Sequence, residues 1–375
     1  MLPATLPLDA YRPFRRDVEA QRPAIETIAA RHGLPRGELA PFSQGTQIVW
    51  GTPRSVLKLF VPTWPEDARI ETLMLERLVG TGLPVPQLEA RGEVAGWPYV
   101  VMSRLPGQRV SEAWPGLEAD ARERLAHDIG AAMARLAALP VTGLDALHAP
   151  QDSLLAERRP RLVQDQRERG GGDALEAQLQ AFLDALPPSM PAESVLLHAD
   201  LTADNILVHD GRLAGFIDFA DAFVGPWTYE LAATSCFVTQ GDRRSQRALL
   251  AGRGVEATPS SSSTLRCWAV LHRYGHVAIA MQRAGHEPAE LARHAVAVLR
   301  TRGDVTHLLE RHGAAAARRH FRSRVDPFSE CRLTATQTGR WSLAFRLSRT
   351  TPALDESADR SPLSRMWSTV HHLAV

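Results

Sequence analysis

One segment of the chain spaces two aspartates and an asparagine around a predicted hairpin. In His198–Asp218, HADLTADNILVHDGRLAGFID, Asp200 and Asn205 are five positions apart and Asp218 follows thirteen later. The apolar runs ILV and LAGFI flank a His-Asp-Gly turn, and Asp-Gly suits the positive φ angles of a tight hairpin turn. We therefore expect the three polar residues at strand or loop ends, where side chains converge on a cleft.

This spacing suits phosphoryl transfer from a metal-bound nucleotide. Asp200 would orient an acceptor hydroxyl, while Asn205 and Asp218 would hold the metal ion that bridges the phosphates. Mg²⁺ takes few protein oxygens and completes its shell with phosphate and water, so one Asp and one Asn are enough. The alternative is that Asp200, Asp204 and Asn205 only cap a turn. The triple spacing, with a nucleotide-binding lobe predicted upstream, favours the first hypothesis.

A single lysine marks that upstream lobe. Of 43 basic residues, all but Lys58 are arginine, a bias typical of a GC-rich genome. Lys58 lies in the apolar, strand-like run Ser55–Val61. A compact ammonium can reach the α- and β-phosphates of a nucleotide, and a planar guanidinium is a poor substitute. Lys58 is therefore the predicted phosphate-binding cation; the alternative is a chance lysine on a strand face.

A short glycine-bearing hairpin precedes Lys58. Two strand-like runs, Leu39–Phe42 and Thr46–Trp50, enclose it. Such a hairpin can cover nucleotide phosphates with backbone amides, although one glycine in a hairpin is also ordinary turn chemistry. The predicted cofactor-binding residues in it are Ser43, Gln44, Gly45 and Thr46.

The helix after the lysine strand carries a candidate partner for Lys58. Proline and acids in its first turn, from Pro65, are typical of a helix start, and it is predicted to run to about Val79. The residues expected on its inward arc are Ile70, Leu73, Met74, Arg77 and Leu78. Glu71 lies at the edge of this arc and is the predicted partner, whereas Glu76 projects nearly opposite. A solvated glutamate is the alternative.

These motifs resemble the catalytic core of the aminoglycoside phosphotransferase and choline kinase family, small-molecule relatives of protein kinases. Family members carry an H-G-D-x4-N brace followed by I-D-[FW]. The matching residues here are His198-Ala199-Asp200, Asn205 and Ile217-Asp218-Phe219. Ala199 replaces the usual glycine or arginine, and Ala220 stands where D-F-G has its glycine. Neither departure removes a catalytic group.

The resemblance implies an α+β, two-lobed protein-kinase-like fold, with a small β-rich N-lobe and a larger, mostly helical C-lobe. The implied nucleotide-binding lobe is residues 1–103, and the catalytic and substrate lobe is residues 104–312. The implied catalytic residues are Asp200, Lys58, Glu71 and His198, with Asn205 and Asp218 as metal ligands. His198 would orient the catalytic loop without acting as a base. Ser103 and Leu105 fall in the linker whose backbone would contact adenine.

Two further residues continue the family pattern. Asp221 is expected to cap the following helix, with assistance to the metal loop as the alternative. Glu230, at a helix start, is expected to brace the catalytic loop.

The implied activity is transfer of the γ-phosphate of ATP or GTP, with Mg²⁺, to a hydroxyl of a small molecule. Residues 231–310 contain ten arginines and six acids, whereas a pocket for polycationic aminoglycosides needs carboxylates. The acceptor therefore stays open among aminoglycosides, which would imply antibiotic resistance, and amino alcohols, sugars or macrolides.

Two other function classes were weighed. A catalytically silent nucleotide-binding regulator is the alternative, and the joint presence of Lys58, Asp200, Asn205 and Asp218 argues against it. A protein kinase is disfavoured because the stretch between Asp218 and Glu230 is far too short for an activation segment.

Composition sets broader limits. The 375 residues can hold two lobes. A hydrophobic content of 44% and a formal charge of +1 indicate neither a nucleic-acid nor a membrane partner. No secretory signal is evident, and three widely spaced cysteines favour free thiols. We predict a cytoplasmic monomer or homodimer.

The last part of the chain differs in character. Residues 313–375 are rich in Arg, Ser and Thr and lack sustained periodicity. They are predicted to be a disordered tail or a non-native, frame-shifted extension, since GC-rich DNA read out of frame gives such a composition.

Overall fold

The computed structural model of this protein contains two compact units. The first comprises residues 1–151, 191–239 and 244–256, and the second comprises 152–190, 240–243 and 257–375. The residues that the structure describes are 2–3, 6–43, 45–149, 151–168, 172–184, 186, 193–239, 242–256 and 259–273, and two strands at 328–335 and 341–347.

The helices are α1 Leu8–Phe14, α2 Val18–Arg31, α3 Pro65–Arg77, α4 Val110–Ala113, α5 Ala119–Ala137, α6 Gln151–Glu168, α7 Gly172–Asp184, α8 Trp227–Phe237, α9 Arg243–Arg253 and α10 Pro259–Leu271. The strands are β1 Ala40–Phe42, β2 Ile48–Gly51, β3 Ser55–Leu59, β4 Leu88–Val94, β5 Trp97–Ser103, β6 Gln108–Arg109, β7 Ser194–Leu197, β8 Ile206–His209, β9 Arg212–Phe216, β10 Phe223–Pro226, β11 Phe328–Ala335 and β12 Trp341–Leu347.

An antiparallel five-stranded sheet, in the order β1-β2-β3-β5-β4, forms the N-terminal part of the first unit. Successive side chains of a strand point to opposite faces. Trp97, Tyr99 and Val101 of β5 therefore pack with α1 and α2, while Val100 and Met102 pack with α3 on the other face. Because both faces are covered, the central strands read as continuous apolar runs.

Two smaller antiparallel sheets follow in the same unit. β8 and β9 form the predicted hairpin, with Ile206 opposite Phe216, and β6 pairs with the other edge of β8. The turn residues Asp210 and Gly211 have φ of 49° and 70°, as Asp-Gly in such a turn requires. β7 pairs with β10, a strand that the sequence did not predict.

Helices α5 and α9 cross closely behind this hairpin. A Cβ built on Gly130 of α5 would lie 2.2 Å from the Leu249 carbonyl oxygen of α9. A Cβ on Gly252 of α9 would lie 2.1 Å from the His127 carbonyl oxygen of α5. The crossing therefore requires glycine at both positions.

The second unit contains α6, α7, α10 and the β11–β12 ladder. The buried Arg158 of α6 donates from Nε to the Leu271 carbonyl at 2.9 Å and pairs with Asp165 at 3.0 Å. β11 and β12 pair inside 313–375, where no element was predicted. Apart from those strands, that segment lies outside the described residues, so the disordered or non-native tail stays a prediction.

Cys236 and Cys267 form no disulfide, as predicted. No helix among the described ranges is long and apolar enough to cross a membrane. The lobe boundaries at residues 103 and 312 stay predictions.

Candidate active site

The alternation of β3 decides where its lysine points. Leu57 and Leu59 pack into the cluster on the α1 and α2 side of the sheet. Lys58, between them, therefore points to the opposite face, where α3 lies. A lysine on an otherwise apolar strand is thus directed at one helix, and it is itself buried.

Lys58 contacts two carboxylates there. Its Nζ donates to Glu71 of α3 and, at 2.6 Å, to Asp218, which follows β9. Burial alone would lower the pKa of the ammonium, but the charges of Asp218 and Glu71 outweigh burial and raise it above the ordinary value. Lys58 is therefore a charged ammonium held by two anions, and the predicted pairing with Glu71 is present.

The pKa values of the two carboxyl groups are shifted in opposite directions. Burial raises the pKa of the Glu71 carboxyl. The charge of Lys58 opposes this rise, and the charge of Asp218 adds to it. For Asp218, Lys58 overcomes the effect of burial and lowers the pKa. One ammonium faces two carboxylates, and Asp218 retains its negative charge more firmly than Glu71.

The predicted inward arc of α3 was partly wrong: Met74 and Leu78 are buried as predicted, but the buried face is rotated towards Glu71. The buried residues of this helix are Ala68, Glu71, Thr72, Met74 and Leu75. Glu71 thus lies inside the buried face and not at its edge, while Ile70 and Leu73 are only half-buried. The ion pair with Lys58 compensates for burying a carboxylate, and Thr72 donates its hydroxyl to the Ala68 carbonyl at 2.7 Å. Apolar periodicity alone could not predict that a glutamate and a threonine would be buried through these polar contacts.

The loop before β8 places Asp200 and Asn205 together. Asn205 Nδ2 donates to the Asp200 carboxylate at 2.8 Å and to its carbonyl at 2.9 Å. The backbone closes the loop, because Asn205 N–H donates to Thr202 O and Ile217 N–H donates to Asn205 O, at 3.1 and 3.0 Å. The amide therefore holds the Asp200 carboxylate in place, next to the end of the β8–β9 hairpin.

His198 is fully buried and both of its ring nitrogens are engaged. Nε2 lies 2.8 Å from the Ile217 carbonyl, so it carries the proton, and Nδ1 accepts the N–H of Asp200 at 3.3 Å. Burial lowers the pKa of the imidazole, which fits this neutral form. The imidazole thus links Asp200 to Ile217, and its role in orienting the loop without acting as a base stays a prediction.

Glu230 of α8 fixes the same loop from the other side. Its carboxylate accepts the N–H of Ala199 at 2.8 Å, as the predicted bracing role requires. Burial raises the pKa of the Glu230 carboxyl to about 7, against the effect of this hydrogen bond. Ala199 itself has a φ of 66°, the left-handed region that glycine, the usual residue of the motif, adopts freely.

The prediction for Asp221 was wrong. Asp221 ends a 3₁₀ turn, Phe219–Asp221, and a strand follows it, not a helix. The helix that comes next, α8, has Pro226 at its N-cap and no side-chain cap bond. Strand β10 intervenes because its Phe223–Pro226 segment pairs with β7, a tertiary contact that the local sequence does not signal.

The predicted nucleotide-binding positions are only partly described. Gln44 lies outside the described residues. Ser43, Gly45 and Thr46 are exposed between β1 and β2, and Gly45 has a φ of 96°. In the linker, the N–H of Ser103 donates to Gln87 O at 2.8 Å, and Leu105 is half-buried.

The sequence-based prediction did not include several residues that contact the β1–β2 hairpin. Tyr11 and Arg15 donate to its backbone, and the buried Gln47 donates to Asp67 at 2.8 Å. Burial and the nearby charge of Asp221 raise the pKa of the Asp67 carboxyl. No local motif marks these residues, because each acts through a partner distant in sequence.

The site suits a hard divalent cation with few protein ligands. Because Asn205 Nδ2 is committed to Asp200, its amide oxygen remains for a metal. The Asp218 carboxylate is held by Lys58 and by the N–H of Ala220 and retains further lone pairs. Among the described residues, no cluster of three or more His, Cys, Asp or Glu could hold a metal. The Asn205 amide oxygen and the Asp218 carboxylate are hard oxygen donors, which fit Mg²⁺ completed by phosphate and water.

The fold is that of the protein-kinase-like phosphotransferases. The gentamicin complex of the phosphotransferase APH(2″)-IIa superposes with a TM-score of 0.52 at 14% identity, covering 73% of this chain and 95% of that one. The complex of a thermostable mutant of aminoglycoside phosphotransferase APH(4)-Ia with ADP and hygromycin B gives 0.51 at 16% identity, covering 73% and 96%. At such identities these likenesses show the fold alone.

The sequence comparisons specify the family. Residues 42–262 match the phosphotransferase enzyme family (APH), and the chain belongs to this family. A homoserine kinase of Gluconacetobacter diazotrophicus is 33% identical over 199 residues, which are 46% of this chain and 55% of that protein. A homoserine kinase of Xanthobacter autotrophicus is 31% identical over 248 residues, 61% of this chain and 72% of that protein. This chain thus spans only about half of the first relative's length.

Proposed function

We propose that this protein transfers the γ-phosphate of ATP to a hydroxyl group of a small molecule. The contact between Lys58 and Asp218 carries the proposal, because it joins a phosphate-binding cation to a metal-binding carboxylate. Neighbouring Asp200 supplies the third element, a carboxylate for the acceptor. The family match and the nucleotide complexes of the structural neighbours support this.

Each residue has a definite task in this proposal. Lys58, charged and braced by Glu71, would bind the α- and β-phosphates. Asn205 and Asp218 would hold Mg²⁺, which neutralises charge on the transferring phosphate. Asp200 would orient the acceptor hydroxyl and accept its proton late, since a loose transition state needs little early deprotonation.

The linker contributes backbone groups for the base. The N–H groups of Ser103 and Arg104 already donate to Gln87 O and Arg54 O. Leu105 N–H has no hydrogen bond within the described part of the chain. It is therefore the donor that we assign to adenine. This narrows the prediction that both Ser103 and Leu105 contact the base.

We propose an amino-acid alcohol such as homoserine as the first acceptor to test. The relatives at 31–33% identity are homoserine kinases, whereas the aminoglycoside enzymes resemble this chain only in fold, at 14–16% identity. The arginine excess of residues 231–310 also disfavours a polycationic acceptor. Aminoglycosides are the second candidate, on the likeness of fold. The proposal includes a cytoplasmic monomer or homodimer.

The test is phosphate transfer by the purified full-length chain. ATP, Mg²⁺ and one acceptor at a time are incubated, with homoserine, choline, a sugar, a macrolide and several aminoglycosides compared, and the phosphorylated product is measured by mass spectrometry. We expect transfer to homoserine above all others, and a rate about 10²–10⁴-fold lower with Asp200→Asn. Transfer to an aminoglycoside instead would reverse the choice of acceptor. A chain that binds no Mg²⁺–ATP would overturn the whole proposal.

A further inference from the structure

The N-terminal helix α1 contacts the hairpin that would cover the nucleotide. The Tyr11 hydroxyl donates to the Thr46 carbonyl at 2.8 Å. The Arg15 guanidinium, just after the helix, donates to the Ser43 carbonyl at 3.3 and 3.4 Å. The backbone carbonyls of Ser43 and Thr46 are thus held by residues that lie outside the family-matched range of 42–262.

These donors are themselves firmly placed. Tyr11 is buried, with its ring edge-on to Trp64 at 5.8 Å between centroids. The buried Gln21 donates from Nε2 to the carbonyls of Phe14 and Arg15, at 2.9 and 2.8 Å. Its Oε1 accepts the indole N–H of Trp50 in β2 at 3.0 Å. The end of α1 is therefore tied to the sheet and can act as a fixed support.

The contacts also orient the backbone of the hairpin. A trans peptide directs its C=O and the following N–H to opposite sides. Because Tyr11 holds the Thr46 carbonyl towards α1, the next N–H, that of Gln47, points away from α1. The Gln47 side chain is fixed as well, since it donates to Asp67 and accepts the N–H of Val61, at 2.8 and 3.3 Å. The Thr46 and Ser43 carbonyl oxygens are thus engaged by the Tyr11 hydroxyl and the Arg15 guanidinium.

We propose that Tyr11 and Arg15 are positioning residues for the nucleotide, which hold the backbone carbonyls of Thr46 and Ser43 in the orientation that allows ATP to bind. This inference rests on the proposed function. Without the Tyr11 hydroxyl, segment 43–46 would have to be ordered when ATP binds, and this cost would weaken affinity. The phosphate-transfer residues Lys58, Asp200 and Asp218 would be unchanged.

The chain offers a matched control. Tyr99 is a second buried tyrosine of the same hydrophobic cluster, and its hydroxyl lies 2.9 Å from His32 Nε2. Tyr11→Phe and Tyr99→Phe each remove one buried hydroxyl; that of Tyr11 donates to the Thr46 carbonyl at 2.8 Å and lies 3.5 Å from Gln47 Oε1. Tyr11→Phe should raise the Kd and KM for ATP by about threefold to tenfold, as the loss of one net hydrogen bond implies, and leave kcat nearly unchanged. Tyr99→Phe should change neither.

Amide hydrogen exchange and a second pair of variants complete the experiment. Exchange in residues 43–47 should become faster in Tyr11→Phe only. Arg15→Met tests the contact with Ser43. Its control is Arg22→Met, because Arg22 pairs with Glu19. This second pair of variants replaces the first if Tyr11→Phe fails to fold. Equal ATP affinity for each variant and its control would overturn the inference. If the unmodified chain binds no ATP, the proposed function fails instead, which calorimetry on that chain shows directly.

Discussion

Lys58 Nζ donates to the Asp218 carboxylate at 2.6 Å, although the two residues are 160 positions apart in the chain. The contact joins the apolar strand β3 to the end of the β8–β9 hairpin. Glu71 completes it from α3, so a single buried ammonium is shared between two carboxylates. The stability of this cluster and its proposed role in binding phosphate can be tested separately.

Lys58→Met removes the only cation that faces Glu71 and Asp218 in the described part of the chain. Leaving buried carboxylates unpaired should cost about 3–5 kcal/mol of unfolding free energy, measured by urea denaturation, and should abolish phosphate transfer. The double variant Lys58→Met with Glu71→Gln should recover part of the stability and none of the activity. If both properties recovered together, Lys58 would have no role beyond packing.

Asp200→Asn preserves the shape of the side chain and removes its basicity. We expect kcat to fall by about 10²–10⁴-fold, as for loss of a general base, with ATP affinity close to that of the unmodified protein. Asp210→Asn, in the exposed β8–β9 turn, is the control and should leave kcat unchanged. Steady-state kinetics with the best acceptor make the comparison, and near-normal turnover of Asp200→Asn would reject the assigned role.

Glu230 should make stability depend on pH. Its pKa is about 7 in the folded protein against 4.5 as the ordinary value, so the folded state holds a proton that the unfolded chain releases. This contribution is fully present below about pH 4.5 and is lost as the pH rises through about 7. Glu230→Gln keeps an oxygen for the N–H of Ala199 and carries no such titration.

The expected result is a stability difference that changes with pH. The unfolding free energy of Glu230→Gln minus that of the unmodified protein should increase from pH 5 to pH 8. Urea denaturation of both proteins at each pH measures this difference. Glu89→Gln, at an exposed position of β4, is the control. The same pH dependence for both variants would contradict the buried, proton-holding carboxyl.

Gly130→Ala should disrupt the crossing of α5 and α9. The new methyl would meet the Leu249 carbonyl oxygen at 2.2 Å and the Arg253 nitrogen at 2.8 Å, both of them backbone atoms that cannot rotate away. We expect a loss of about 1–3 kcal/mol, typical of overpacking. Gly37→Ala, where the added Cβ meets nothing within 4 Å, is the control, and thermal unfolding of both variants provides the measurement. An unchanged melting temperature for Gly130→Ala would show that the helices can separate freely.

The elements of the site were largely predictable from local sequence. The helix from Pro65, the buried strand around Lys58 and the β8–β9 hairpin follow from capping residues, apolar runs and an Asp-Gly turn, all of which act over a few positions. Where the prediction failed, a distant partner was responsible. The rotation of α3 reflects the burial of Glu71 against Lys58, and Asp221 caps no helix because β10 pairs with β7.

The sequence by itself determined which residues could do the chemistry: the types and spacing of Asp200, Asn205 and Asp218, with a lone lysine upstream, predict a phosphate and metal site. Only the tertiary structure decided that Lys58 contacts both Glu71 and Asp218, and that α1 holds segment 43–46. The physical reason is that residue type and periodicity act within a few turns of the chain. Contacts between distant segments arise only when both faces of the sheet are packed.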